Sequence, residues 1–323
     1  MKIQKRSDKF LHLRDFISAK ARLRTYIPSS PLDFSESLSQ QFNIPIYLKL
    51  ENWQKTGSFK VRGALNKLLS LSAEEKSKGV ITASAGNHGL GVAYAAKLLD
   101  VHGKIVVPEN ASPAKIKALR LFELELVKNG ADYDEAEAYA WELKKREGLT
   151  FVHAFSDPDI IAGQGTIGLE IMQQLPDVET IVAPVGGGGL ISGVASVVKA
   201  ANPHIKIIGV QPQASRAMVN ALQNGKVVET PIQETIADGL AGRFVTELTL
   251  NLTQEFVDDV IVVSESSTEE ALKLILEQEH ILVEGSAAVG VAALLEKKIP
   301  SGKCAIILTG RNVDIKLLTR LLV

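Results

Sequence analysis

Gln54-Lys55-Thr56-Gly57-Ser58-Phe59-Lys60-Val61-Arg62-Gly63-Ala64 is the stretch on which the reading of the chain turns. Just before it, Ile46, Tyr47, Leu48 and Leu50 have the composition of a short strand. Thr56-Gly57-Ser58 reads as a turn. Phe59, Val61, Leu65, Leu68 and Leu69 then recur at mostly helical spacing, with Ser58 placed to cap the helix. This puts Lys60 in the first helical turn. The positive end of the macrodipole there favours acidic side chains. An ordinary lysine is a solvated surface residue. One with apolar neighbours on both sides and a dipole against its charge is a candidate for a lowered pKa. A Schiff-base lysine needs a lowered pKa.

Outward from this stretch the pattern is strand–helix alternation. Apolar, β-rich runs lie at 80–83, 104–107, 124–127, 151–153, 180–184, 205–210, 260–263 and 304–308. Between them, helical patterns cover 87–99, 132–146, 160–175, 190–200, 268–280, 283–295 and 313–322, and Ser112-Pro113 is a helix start. Alternation of this kind implies parallel strands joined by right-handed crossovers, an open α/β sheet. Residues 1–30 read as one or two helices and a loop broken by Pro28 and Pro31, and 212–259 as a looser region.

Composition narrows the function classes. With 323 residues and a formal charge of −1, the chain can bury a large core and carries no field pointing to nucleic acid or an anionic membrane. The one cysteine, Cys304, lies in an apolar run, which suits a buried strand residue in a reducing compartment. The polar N-terminus lacks the apolar core of a signal peptide, and no apolar run is long enough to span a bilayer. A cytoplasmic protein is expected, without nucleic-acid or membrane partners.

Two loops carry chemistry on their own residues. Ser84-Ala85-Gly86-Asn87-His88-Gly89 follows a strand and opens a helix. Ligands of open α/β sheets bind at such carboxyl ends, and a helix N-terminus offers N–H groups to an anion. The alternative is a plain capped turn. Gly186-Gly187-Gly188-Gly189 sits between a strand and a helix, where backbone N–H groups can form a nest for phosphate. No Lys-Ser or Lys-Thr follows, so a compact phosphate ester is favoured over a nucleotide. Glu284, just before a small-residue helix, is either a dipole partner or a cofactor-side acid.

The SFKVRGA stretch resembles the cofactor-lysine motif of the fold-type II pyridoxal-phosphate enzymes, the group of threonine dehydratase, serine racemase and the tryptophan synthase β chain. SAGNH at 84–88, the tetraglycine, Ala237-Asp238-Gly239 and Leu308-Thr309-Gly310-Arg311-Asn312 resemble further motifs of the group in the same order, over nearly the whole chain. The resemblance implies two open, mostly parallel sheets with helices on both faces: a large domain of residues 1–79 and 157–323, and a small inserted one of 80–156. It implies pyridoxal phosphate on Lys60 beside Phe59, its phosphate on Gly186–Gly189, Gly239 against the ring, Glu284 at its edge, Thr309 at its nitrogen and Asn87 at its ring oxygen. Ser84, Ala85, Gly86, Asn87 and His88 would grip a substrate carboxylate, with Phe155 and Gln164 also near the substrate. A neutral hydroxyl at the ring nitrogen favours elimination. The racemases' active-site serine falls at Ala85, which cannot transfer a proton.

The expected function is a dehydratase of L-threonine, and of L-serine, working as a homodimer or homotetramer in isoleucine biosynthesis or threonine catabolism. The chain ends soon after the last motif, so the short form without an isoleucine-binding regulatory domain is expected. Gln211-Pro212-Gln213-Ala214-Ser215-Arg216-Ala217 stands where some relatives carry cation-binding carboxylates, and no metal is expected. Alternatives are a serine racemase, or a 3-hydroxyaspartate dehydratase using Arg216, Arg243 or Arg311. More remote is a non-catalytic phosphate- or nucleotide-binding module.

Overall fold

Strands buried on both faces must be largely apolar, and the runs 180–184 and 304–308, apolar but for Thr180, have every residue buried. The computed structural model describes residues 11–322. Its strands are β1 (Leu32–Phe34), β2 (Ile46–Leu50), β3 (Val80–Ala83), β4 (Gly103–Val107), β5 (Glu125–Lys128), β6 (Thr150–Phe151), β7 (Thr180–Pro184), β8 (Lys206–Pro212), β9 (Asp259–Val263) and β10 (Cys304–Leu308). Six form a sheet in the order β1-β2-β10-β7-β8-β9, and four form a second in the order β5-β4-β3-β6. All pairings are parallel except β1 with β2.

The helices are α1 (Leu13–Leu23), α2 (Glu36–Phe42), α3 (Lys60–Ser70), α4 (Ala73–Lys78), α5 (Asn87–Leu98), α6 (Pro113–Leu119) and α7 (Tyr133–Glu147). They continue with α8 (Pro158–Gln174), α9 (Gly189–Ala201), α10 (Ala217–Asn224), α11 (Glu247–Phe256), α12 (Glu265–Gln278), α13 (Gly285–Leu295) and α14 (Ile315–Leu322). One face of the large sheet is covered by α8 and α9, whose Ile161, Ile167, Val194 and Val197 join Ile181 and Ile307 in one core. The opposite face is covered by α12 and α13. The small residues of α13 serve close approach: a Cβ on Gly290 would lie 2.6 Å from Ile306 Cγ2. The small sheet has α7 on one side and α5 and α6 on the other. Among the described residues no helix is long and apolar enough to cross a membrane.

Three readings of the sequence change. Ser58 does not cap α3, which begins at Lys60 with Phe59 in the cap position. Its segment is drawn instead into a short antiparallel bridge with Gly310. The region 212–259 is less loose than its composition suggests. It holds α10 and α11, and Thr246 caps α11. Strand β1, Leu-Asp-Phe with two residues exposed, is too short to show a strand pattern in the sequence. The expected helix at the N-terminus is α1, and the part before residue 11 lies outside the described residues.

Candidate active site

The loops that follow β2, β3, β7 and β10 converge at the carboxyl ends of their strands. Lys60 opens α3 at this point. Its Nζ donates to Ala154 O at 2.8 Å and lies 5.3 Å from the Phe59 ring centroid. Burial brings the Lys60 pKa down to about 8, against the pull of the Glu284 carboxylate.

The turn before Lys60 is held by the loop after β10. Phe59 N donates to Thr309 O (3.0 Å), Arg311 N to Gly57 O (2.9 Å) and Asn312 Nδ2 to Thr56 O (2.8 Å). Gly57 has a φ of +74° and lies so close to Asn312 that a Cβ would meet its Oδ1 at 2.7 Å. Glu284 stands across from this turn and leaves the α13 terminus uncapped by its side chain. Its Oε1 accepts from Asn87 Nδ2 at 2.8 Å and its Oε2 from Asn312 N at 3.1 Å. Asn312 Nδ2 also donates to Asn87 Oδ1 at 2.7 Å. Burial pushes the Glu284 pKa up to about 7, with the Asn87 hydrogen bond opposing. Asn312, the last residue of the 308–312 motif, belongs to this cluster, a role the sequence reading did not give it.

The tetraglycine closes the other end. Gly188, with φ of +95°, is the N-cap of α9, and no side chain caps that helix. A Cβ on Gly187 would lie 2.6 Å from the Phe155 ring, and one on Gly189 2.7 Å from Phe155 O. Phe155 therefore packs against the tetraglycine loop. Gly186 lies against Gly239 and Leu240, and a Cβ on Gly239 would be 2.8 Å from Ser286 Oγ. Thr309 is buried at the end of β10.

Around the start of α5, Ser84 Oγ accepts from Gly86 N at 3.1 Å, and a Cβ on Gly86 would meet only open space. Ala85 packs partly into the core beside α5. His88 Nε2 lies 3.0 Å from Val152 O. A carbonyl only accepts, so Nε2 carries the proton and the buried Nδ1 is left with a free lone pair among the described residues. Burial and the Lys60 charge lower the His88 pKa to about 3. His153, whose Nδ1 accepts from Phe155 N and Ser156 N, is lowered to about 4 by the same two causes. Both imidazoles are neutral at pH 7. Gln164 stands apart from the other expected residues. It is 1% exposed and its Oε1 accepts from Gly63 N at 3.2 Å, so it ties α3 to α8. Of the arginines, Arg243 is paired with Asp132 and Asp134. Among the described residues no group of three or more His, Cys, Asp or Glu side chains is placed to hold a metal ion.

The family described as "Pyridoxal-phosphate dependent enzyme" matches residues 23–310. The chain belongs to this family. It is 44% identical over 311 residues to the L-threonine ammonia-lyase of Thermotoga maritima, covering 96% of this chain and 78% of that one. The structure of maize serine racemase superposes with a TM-score of 0.91 at 36% identity, covering 96% of each chain. The processed form of threonine deaminase isoform 2 from Solanum lycopersicum gives 0.90 at 38% identity, covering 96% of this chain and 92% of that one.

The residues present fit the family's cofactor. A half-buried amine with a lowered pKa suits a pyridoxal aldehyde. The uncapped α9 N-terminus and its glycines form a cradle that side chains would fill, suited to a phosphate. The buried hydroxyls of Ser58 and Ser286 have no hydrogen-bond partner among the described residues, which leaves polar groups to spare at the same place.

Proposed function

We propose that this chain is an L-threonine ammonia-lyase that also takes L-serine, yielding 2-oxobutyrate or pyruvate and ammonia. The observation that carries the reading is the Lys60 amine, half-buried, lowered to about pKa 8 and held on Ala154 O, in a chain 44% identical to an L-threonine ammonia-lyase. Pyridoxal phosphate, when bound, supplies the electron sink that lets an amino acid lose its Cα proton and β-hydroxyl.

Lys60 would hold the cofactor, with the backbone N–H groups of Gly186–Gly189 on its phosphate. Gly239 would lie at its face, and Asn87, Glu284 and Thr309 around the ring. As a free amine, Lys60 takes the Cα proton, and its lowered pKa keeps a usable neutral fraction near pH 7. The backbone at Ser84–His88, opening α5, binds the substrate carboxylate. His88 is neutral, so the helix terminus rather than a charged side chain attracts it. Ala85 offers no proton for racemisation. Arg243, one of the three arginines considered for an acidic substrate, is spent on two aspartates.

The strands of the small sheet all come from residues 80–151, which supports an inserted domain of 80–156 within a large one of 1–79 and 157–323. The same reading has the chain acting in the cytoplasm as a homodimer or homotetramer.

The test is 2-oxo acid release by the pyridoxal-phosphate-loaded protein from L-threonine, L-serine and L-threo-3-hydroxyaspartate in parallel. Rapid 2-oxobutyrate formation, abolished in Lys60→Ala, is the expected result. A yellow protein that leaves threonine untouched would sink the substrate assignment. Ala85→Ser should raise D-serine output, and an unchanged output would clear Ala85 of excluding racemisation.

A further inference from the structure

Lys60 is carried by α3, and the carbonyl that holds its amine, Ala154 O, lies in the segment leading into α8. The placement of one relative to the other depends on how α3 sits on α8. The two helices meet through glycines. A Cβ on Gly163 would lie 2.6 Å from Gly63 Cα, and one on Gly63 2.4 Å from Gln164 Nε2. A contact this close leaves little room for apolar side chains to set the register.

Buried charges occupy the space beside it. Arg62, 1% exposed, donates to Glu51 from Nε at 2.7 Å and from Nη2 at 2.8 Å. It also donates to Glu170 from Nη1 at 2.6 Å and from Nη2 at 2.8 Å, and to Thr166 Oγ1 at 3.1 Å. Lys49, fully buried in β2, donates to Glu170 Oε2 and Gln174 Oε1, each at 2.8 Å, and to Ser30 O at 2.6 Å. Two cations face two carboxylates, so the cluster is neutral. It joins α3 to β2, to the loop at Ser30 and to α8. One turn further along α3, Asn66 Nδ2 donates to Asp159 O at 2.7 Å and Lys67 Nζ lies 2.8 Å from Asp157 Oδ2.

Buried ion clusters yield little net stability, because desolvation offsets the attraction. A guanidinium fork gripping two carboxylates does fix direction. A device poor at stabilising and good at orienting, two residues from Lys60, is suited to aiming that lysine. We propose that Arg62, clasped between Glu51 and Glu170, is the positioning residue that holds Lys60 at Ala154 O and so in line with the substrate Cα. The kinetic half of this inference rests on the ammonia-lyase reading, and the structural half does not.

The experiment compares Arg62→Met, Arg62→Lys and Glu170→Gln with the wild type in two measurements. The first is kcat and KM for L-threonine. The second is amide hydrogen exchange of the cofactor-free protein. A misaimed general base should cost Arg62→Met on the order of 100-fold in kcat, with KM within about threefold. Arg62→Lys keeps the charge without the fork and should recover part of that loss. Exchange should speed up at Val61–Leu65 of α3 while the amides of α9 keep their protection. Unchanged kcat, or exchange that accelerates evenly through the molecule, would overturn the inference in favour of a purely structural cluster. Should Arg62→Met fail to fold, Glu170→Gln is judged by the same two criteria. A wild type inert toward threonine, with the exchange change confined to α3, would strike down the substrate reading and support the positioning role.

Discussion

At Gly186–Gly189 the site is made of backbone alone, whereas around Glu284 it is made of side chains that carry or could carry charge. The glycine end has a positive φ at Gly188 and contacts that any Cβ would violate. Nothing in it titrates. The Glu284 end has a carboxyl raised to about 7 and tied to Asn87 and Asn312, within electrostatic reach of an amine lowered to about 8. The first end can hold an anion without changing state, because its donors are fixed by geometry. The second is suited to moving protons, because burial has drawn its acid and its base toward pH 7. Substitutions should therefore act by shape at one end and by pH at the other.

The largest effect is expected from Gly188→Ala. It combines left-handed strain with a Cβ 2.6 Å from Met218 Cε and 2.9 Å from Thr249 Cβ. Denaturant titration should show a loss of about 2–4 kcal/mol, independent of pH. Gly225→Ala has the same kind of φ, +65°, over open space, and should cost only about 1 kcal/mol. Equal losses in the two would show that collision plays no part at Gly188.

Glu284→Gln comes next, with the opposite signature. Below pH 4.5 the carboxyl is protonated in both the folded and the unfolded chain, so the exchange to Gln gains nothing there. Between pH 4.5 and about 7 the unfolded chain ionises while the folded one keeps its proton, so wild-type stability falls as pH rises. Gln can accept only one of the two hydrogen bonds Glu284 receives, a loss that does not vary with pH, but in cofactor-free protein the variant should escape that fall and gain about 1–2 kcal/mol on the wild type between pH 4.5 and 7. Parallel pH profiles for the two proteins would refute the reading of this end as charge-controlled.

Lys60→Met should act in a different window. The folded pKa of about 8 lies below the usual 10.5, so the penalty is complete below pH 8 and vanishes as pH rises through 10.5. The cofactor-free variant should gain about 1 kcal/mol at pH 7, because the cleft keeps Lys60 partly hydrated. The gain should grow in the Glu284→Gln background, since the Glu284 carboxylate offsets part of the Lys60 desolvation. The smallest effect is expected at Arg243, outside both ends. Its pairs with Asp132 and Asp134 are well exposed, so Arg243→Ala should shift the denaturation midpoint only slightly, and less at high salt.

The same contrast explains what the sequence discloses. Backbone devices leave residue-type signatures: four consecutive glycines, or apolar runs whose limits at 180–184 and 304–308 coincide with β7 and β10. Alternation of strand and helix was enough to read parallel sheets. Side-chain devices are less visible. Lys49 and Arg62 look like surface cations until β2 and α8 enclose them with Glu51 and Glu170. Ser58 has the right type and spacing for a cap, yet the long-range bridge to Gly310 outcompetes the local hydrogen bond. Asn312 stands in a legible motif, but its partners Glu284 and Asn87 come from distant loops and could not be read from it. Helices α10 and α11 are rich in Asn, Gln and Thr, so their propensity was weak and packing decided.

The strand order has a consequence for how the molecule is made. β10 is the last of the ten strands to leave the ribosome, yet it lies between β2 and β7 in the middle of the large sheet. Until it arrives, β2 and β7 present open edges to each other, and Phe59 has no Thr309 carbonyl to bind. The two halves of the sheet therefore lack the five-residue strand that joins them until the end of synthesis. A nascent chain stopped short of Cys304 would carry every residue of the tetraglycine and the Lys60 turn, and still have no site.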